Sequence, residues 1–592
     1  MNIVIFSGGT GSTALQTGLY NLFADNLDVT IITNTYDNGK STGIVRKVLD
    51  GKINGPSDLR KNQILRYSLM GGNPDIIALM TLRFDCKSDQ AEEMCIMYIE
   101  DLKNKNVDNN ILDILYGAIK SYFSFPLAKK VDYIDFSIAN IIYAGLAASN
   151  MSLAQAGKIM ASKVLKIPEN SVIVSDDNSL YLQARTESGG VILDEGDIVE
   201  WNNVNDKIVE TFFTDPYGKE TKPRLTDESY KAIIDADIII FSAGTQWSSL
   251  IPTYQHDRFR DAIDNSSAFK YLVINNNQDK DMLGVDANSL LILLSHKYLS
   301  LENIKCIFNK DASLSQSVDK KFMLDNNFQY LNEHLSDEYL KFHDGKKLAK
   351  LIIEDYFGET LKSDTFIFDY DDTLVGRNFS YHLESKENKN LLLELNILKS
   401  VFICSGNSIK AISFNNCKSE KDLIVYAENG INKYSLKFKS DQIHISAPII
   451  IAPESIISNK EVDFITNSLE SVGINISKIQ NRNNAMISIK PIESEYRKPL
   501  VELFKRLFVD YIVNETGRTT IDISKGVSKD IILRDIKYNK ITYIGDEFYY
   551  GGNDYSLLSN PSINVIDVKS PKDTNVFLKT LLGYIKNDKR EN

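Results

Sequence analysis

Short apolar runs of strand length alternate with helical periodicity along the whole chain. Asn2-Ile-Val-Ile-Phe6, Val29-Thr-Ile-Ile-Thr-Asn34, Ala236-Asp-Ile-Ile-Ile-Phe241, Phe366-Ile-Phe368, Val401-Phe-Ile-Cys404 and Ile541-Thr-Tyr-Ile-Gly545 all read as buried strands. Continuous apolar runs of this kind, rather than alternating ones, belong to parallel sheets covered by helices on both faces, so the pattern predicts an α/β protein. Leu351–Tyr356 reads as a helix closing a first domain over residues 1–357, and the polar stretch Gly358–Asp364 reads as a linker. A second domain then occupies 364–592, with a core over 364–430 and 521–592 and an insertion over 431–520. The pattern shows no internal repeat, low-complexity tract or coiled coil.

Composition narrows the class. A chain of 592 residues exceeds what one core holds. The net charge of −12 leaves no basic excess to replace phosphate counterions, which argues against nucleic acid as a main partner. The five cysteines have no metal-ligand spacing, and the six histidines fall outside every motif, so neither zinc nor a disulfide framework is expected. No run approaches a membrane span. The chain opens directly on a strand, so no leader and a cytoplasmic address are expected.

The chemistry begins where the apolar runs end. Asp369 and Asp371 follow the Phe366 strand two residues apart, so they aim toward one side of its mouth. Two carboxylates so close repel unless a cation lies between them, which calls for Mg²⁺ and hard oxygen ligands. One can attack phosphorus while the other protonates the leaving alcohol and later deprotonates water. Ser405-Gly-Asn407 ends a second strand, Lys529 offers a fixed positive charge, and Asp546-Glu547 with Gly551-Gly-Asn553-Asp554 ends a third.

In this order the motifs resemble the haloacid-dehalogenase superfamily. Ala427-Glu-Asn-Gly430, Arg482-Asn-Asn-Ala-Met-Ile-Ser-Ile-Lys-Pro491 and the long last motif are similar to its eukaryotic-type phosphomannomutase branch. The resemblance implies a Rossmannoid core with an inserted α/β cap. It makes Asp369 the nucleophile and Asp371 the general acid/base, with Thr373 and Ser405 supporting the phosphate and Lys529 neutralising it. Mg²⁺ would be held by Asp369, Asp371 through its carbonyl, and Asp546, with Asp554 behind. Arg482, Asn407 and Asn553 would contact substrate, Arg482 by clamping a distal anion or else standing as a solvated surface charge. After Pro491 the mutases continue Gly-Arg and this chain has Ile492-Glu-Ser, which favours a phosphatase over a mutase.

At the other end, Ser7-Gly8-Gly9-Thr10-Gly11-Ser12 joins the first strand to a helix, a turn that lets backbone amides approach an anion. A dinucleotide domain wants an acid after its second strand, and Asn34 stands there instead. Two polar loops follow, Tyr36-Asp37-Asn38-Gly39-Lys40-Ser41 and Gly55-Pro-Ser-Asp58-Leu-Arg60-Lys61-Asn62. With Phe136–Gly145 around Asn140, Leu182–Gly189, Asp194-Glu195, Ser242-Ala-Gly244-Thr245 and Asn275-Asn276, they resemble the family that joins 2-phospho-L-lactate transferase with gluconeogenesis factors that bind nucleotide sugars. That implies a Rossmann-like doubly wound sheet, a nucleotide-diphosphate ligand and a homodimer. Asp37 or Asp58 becomes a metal or base position, and the Ser242–Thr245 turn a seat for a second phosphate or a ribose. Relatives carry two adjacent acids where this chain has Asp37-Asn38. Lys40 replaces a small residue and could offset a phosphate. Trp247 suits core packing or base stacking. Two functions stay open for this half, group transfer to an acceptor or non-catalytic sensing of the nucleotide sugar.

Overall fold

In the computed structural model the chain forms two compact units, Met1–Tyr356 and Phe357–Asn592. The described residues are all except 151, 315–317, 338–341, 377–380, 440–441, 473–475, 517–519, 527, 538–539, 550–551 and 592; side chains at 25, 472, 494, 516 and 588–591 are likewise outside the description. Gly551, which opens the last C-terminal motif, lies outside the described residues.

The first unit is built on a seven-stranded sheet. Across it run Tyr330–Glu333, Ile304–Asn309, Phe269–Val273, Ile238–Phe241, Asn2–Ser7, Asp28–Thr33 and Val172–Val174. Every pairing is parallel, with Ile3 beside Ile238 and Val29. The chain moves outward in one direction from Asn2–Ser7, then returns to lay Ile238–Phe241 on its other side. This reversal leaves a crevice beyond the carboxyl ends of two adjacent strands, where doubly wound sheets bind ligands. The apolar strand residues are buried, Ile3, Ile5, Ile238, Ile239 and Ile240 completely. Helices including Ser57–Leu69 and Ile138–Asn150 fill the excursion before Val172, and an antiparallel four-stranded sheet carrying Tyr181–Thr186 and Ile208–Thr214 fills the next. The helix Gly345–Phe357 closes the unit.

The second unit holds an eight-stranded sheet and a four-stranded one. At the centre of the first, Thr365–Phe368 pairs in parallel with Ser400–Cys404 on one side and Ile541–Gly545 on the other. The cap boundaries differ from 431 and 520. Asn432–Lys439 hairpins back onto Leu423–Ala427 and extends the core sheet. Thr520–Ser524 pairs instead with Met486–Pro491 in the cap sheet, because Ile521 and Ile523 bury their side chains with Ile487, Ile489, Leu500 and Phe504 beneath the cap helices. The segment expected as a linker is a 3₁₀ turn, Gly358–Lys362, held into its own unit where the buried Thr360 hydroxyl accepts a 2.6 Å hydrogen bond from Asn564. No described helix is long and apolar enough to cross a membrane.

Candidate functional site

In the second unit, Asp369 and Asp546 follow two adjacent parallel strands, and Lys529 and Asp554 join them from segments outside those strands. The Asp369 amide, just past its strand, still donates to Ile544 O at 2.8 Å, which locks the carboxylate beside the next strand's end. Lys529 is fully buried with Nζ 2.9 Å from Asp369 Oδ1 and 2.7 Å from Asp554 Oδ1. Asp554 also accepts from the Tyr543 hydroxyl at 2.7 Å and the Glu547 amide at 3.1 Å. This approach requires Gly545, where a Cβ would come within 2.4 Å of Asp554 Oδ2. Asp369, Asp546 and Asp554 each place an oxygen within 4.8 Å of the others.

These carboxylates are short of positive charge. Burial raises the Asp369 carboxyl well above its usual range; Lys529 opposes this, while Asp554 and Asp546 add to it. Asp546 is pushed up to about 6, again chiefly by burial. Burial works against the Lys529 charge, but Asp369 and Asp554 outweigh it and hold the ammonium protonated. Hard oxygen donors, crowded and under-neutralised, fit a small divalent cation such as Mg²⁺.

The remaining predicted residues fall around this centre with one correction. Ser405 is buried, and its Oγ accepts from the Asn407 amide at 3.1 Å. The Asn407 side-chain amide donates to Asp371 Oδ2. Thr373, expected to support phosphate, instead donates its hydroxyl to Asp546 Oδ1 at 2.9 Å. The tight turn after Asp371, in which Leu374 and Val375 amides return to Tyr370 O, tucks it inward. Arg482 arrives from the cap and donates to Gly406 O at 2.8 Å and Asn407 Oδ1 at 3.0 Å, so the solvated-surface alternative does not hold. Asn553 meets Glu547 Oε2 through its amide at 3.4 Å, and its own Oδ1 is buried without a partner.

In the first unit, the two glycine-bearing turns meet at the sheet's crevice. A Cβ on Gly11 would sit 2.1 Å from Ala243 O, and one on Gly9 2.6 Å from Asp58 Oδ1, so only glycine permits this contact. Thr10 and Gly11 are exposed, whereas Ser12 is buried with its Oγ 2.5 Å from that of Ser7. Gln16 donates to Ser12 Oγ and Asn62 Oδ1, and Asn62 donates to Gly8 O at 3.0 Å. Asp37 accepts from the Gly39 amide and the Thr42 hydroxyl. Arg60 holds Asn140, whose amide donates to Ser41 Oγ at 3.0 Å. Burial raises Asp58 to about 6 against the pull of Lys61.

Two expectations for this unit change. Lys40 points outward with its side chain 80% exposed and Asp135 3.8 Å away, rather than into the crevice. The turn after Phe241 does not leave its helical amides to a ligand, because the buried Asp281 accepts from the Trp247 and Ser248 amides at 3.0 and 3.3 Å. Ser242 Oγ returns to Phe6 O, Gly244 is paired with Asn275, and Thr245 bonds Ser249. Asn276 is buried, with Oδ1 accepting from Asn309 and Nδ2 unpartnered. Trp247 is 2% exposed and part of the core.

Sequence reasoning gave no site role to three residues here. Tyr543 braces Asp554 with a hydroxyl carried on a fully buried strand. Glu195 accepts from the Asn38 amide at 3.1 Å while Asp194 accepts from the Asn38 side chain at 2.9 Å. Burial first, then Asp37, hold the Glu195 carboxyl well above its usual range. Asp281 gave no local signal.

The comparisons agree with this division. A family model described as 2-phospho-L-lactate transferase CofD matches residues 3–298, half of the chain, and one described as eukaryotic phosphomannomutase matches 469–584. The gluconeogenesis factor of Halalkalibacterium halodurans is 26% identical over 46% of this chain and 66% of its own length. Phosphomannomutase 1 of Dictyostelium discoideum is 27% identical over 36% of this chain and 95% of its own. Among solved structures, a Bacillus halodurans protein of the UPF0052 family aligns with a TM-score of 0.45 at 21% identity, covering 60% of this chain and 98% of that one.

Proposed function

Because the chain belongs to the 2-phospho-L-lactate transferase CofD family and carries a eukaryotic phosphomannomutase-type domain after it, we propose that it is a bifunctional enzyme. The second unit hydrolyses a phosphomonoester, of a sugar or a related metabolite, through a phosphorylated aspartate. The first transfers a phosphoryl-linked group from a nucleotide-diphosphate donor to an acceptor.

The observation that carries the phosphatase reading is Lys529, fully buried between Asp369 and Asp554. A fixed cation there draws a phosphoryl group to the Asp369 carboxylate. Mg²⁺, held by Asp369, Asp546 and the Asp371 carbonyl with Asp554 bracing Lys529, would neutralise the phosphoryl oxygens. Asp369 attacks phosphorus as the ester P–O bond breaks, and Asp371 gives its proton to the departing alkoxide. The Asp371 carboxylate then takes a proton from water, whose oxygen displaces the Asp369 carboxylate and frees phosphate. Ile492, 59% exposed where mutases carry Gly-Arg, supports release to water over regrasping a bisphosphate. A panel of sugar phosphates assayed for free phosphate with and without Mg²⁺ tests this; no release with any of them would refute it.

Transfer by the first unit draws support from Asp37, Asp58 and Glu195, whose carboxyls act on one another across the Asn38 loop. Sensing of a nucleotide sugar is the second reading, favoured by Asp281 on the amides that a phosphate would use. Release of mononucleotide from a nucleotide-diphosphate donor separates the two, since a sensor binds without releasing it.

A further inference from the structure

We propose that Arg482 is a positioning residue for the general acid: it fixes the direction of the Asn407 amide, and that amide fixes Asp371. The inference rests on the phosphatase reading above. Arg482 ends the cap strand Ile476–Arg482, and the turn after it, with Asn483 and Asn484 at φ 49° and 59°, makes the tip of a hairpin. The guanidinium donates to Asn407 Oδ1 at 3.0 Å, and the other end of that side chain, Nδ2, donates to Asp371 Oδ2.

An arginine only donates and a carboxylate only accepts, so an amide between them has one favourable orientation. Turned over, it would set NH₂ against guanidinium and a carbonyl against a carboxylate. With Arg482 in place, Asp371 Oδ2 is occupied by an N–H. So held, the Asp371 carboxyl passes its proton to the alkoxide oxygen as the P–O bond breaks and the bond to Asp369 forms.

The docked tip has a second hold on the core. Asn483 Nδ2 donates to Glu428 Oε1 at 2.6 Å, and Asn432 holds the other oxygen of this buried glutamate at 3.2 Å. Arg482 Nη1 is committed to the core oxygens of Gly406 and Asn407, which is not the posture of a residue reserved for a distal anion. Its Nε is buried without a partner.

Leaving groups separate the two roles. In the full chain with Mg²⁺, p-nitrophenyl phosphate departs with little need of a proton and phenyl phosphate needs one more. Arg482→Ala should lower kcat on phenyl phosphate by about 10²-fold, several times more than on p-nitrophenyl phosphate. Asn407→Ala should show the same selective loss, and the double variant should be no worse than either single one. Arg482→Met, which removes every donor and keeps much of the bulk, carries the test if the alanine variant does not fold. Equal kcat losses on both esters, or a raised KM with kcat kept, would overturn the proposal and return Arg482 to substrate clamping. A wild-type chain that hydrolyses neither ester removes the phosphatase reading first, and this inference with it.

Discussion

The two candidate sites spend their polar groups differently. Around Asp369, formal charges are buried within a few ångströms of one another, with a single ammonium among three carboxylates. Around Gly8–Ser12, hydroxyls and amides of Ser7, Ser12, Gln16 and Asn62 satisfy one another and hold loops together. A closed network of neutral groups costs little to bury and leaves a shaped surface. A cluster of under-compensated charge is expensive to bury and persists where chemistry uses it. By this contrast the second unit concentrates under-compensated charge, while the first is foremost a neutral cradle with one buried acid, Asp58, against it and Lys61 beside that acid.

The largest effect should come from Asp369→Asn. Losing the nucleophile removes the covalent route, and phosphate release should fall by at least about 10⁴-fold. Nucleotide-diphosphate binding by the first unit, read by calorimetry on the same protein, should not move. Retained turnover would end the contrast as drawn.

Next comes Lys529→Met. It leaves Asp369 and Asp554 buried with no cation between them, and such a loss costs about 3–5 kcal/mol. The second unit's thermal transition should drop sharply while that of the first stays put. If both transitions hold, the charges around Lys529 are better solvated than its complete burial implies.

How much of this was legible depends on how local each signal is. Asp369 and Asp371 could be read because strand parity and mutual repulsion are properties of neighbouring residues. The sheets were legible as parallel because their strands are apolar throughout. Lys529 could be read as a fixed positive charge, but nothing near it in the chain says that two distant carboxylates surround it. The cap boundary shifted because the alternation in Thr520–Ser524 fits either sheet; its partner, Met486–Pro491, decides. Thr373 was assigned to phosphate by its place in the motif, whereas the turn it lies in aims the hydroxyl at Asp546. Glu195 and Asp281 act on loops far away in sequence, so no window contains both halves of either contact.

Asp281 offers an intermediate effect within the cradle. Burial and the neighbouring Asp279 push its carboxyl up to about 7. The folded chain then keeps a proton that the unfolded chain has released from about pH 4 upward, so stability falls as pH rises through that window to about 7. Asp281→Asn keeps an acceptor for the Trp247 and Ser248 amides and removes the charge. At pH 8 it should stabilise the first unit by on the order of 3 kcal/mol, and near pH 4 the gain should vanish. A gain that is constant with pH would mean that the charge is not what the variant relieves. Tighter phosphate binding in the variant would sharpen the sensing reading, since a neutral amide gives way to an anion more easily.

The smallest effect belongs to Lys40, and it probes whether the cradle hides a charge of its own. Its side chain is 80% exposed, and its only described ion pair, to the half-exposed Asp135, spans 3.8 Å. Pairs of that kind contribute about 0–1 kcal/mol and are screened by salt. Lys40→Ala should therefore leave the first unit's melting temperature unchanged within error and weaken nucleotide-diphosphate binding by no more than about threefold. That loss should disappear at high ionic strength, as befits an ammonium that attracts from a distance. A lysine that swings in to grip a phosphate behaves otherwise, because a charge-assisted hydrogen bond in a partly dehydrated site is worth about 1.5–3 kcal/mol and resists screening. A loss above tenfold that survives added salt would place Lys40 on the ligand, and the cradle would then hold a buried charge pair only when occupied.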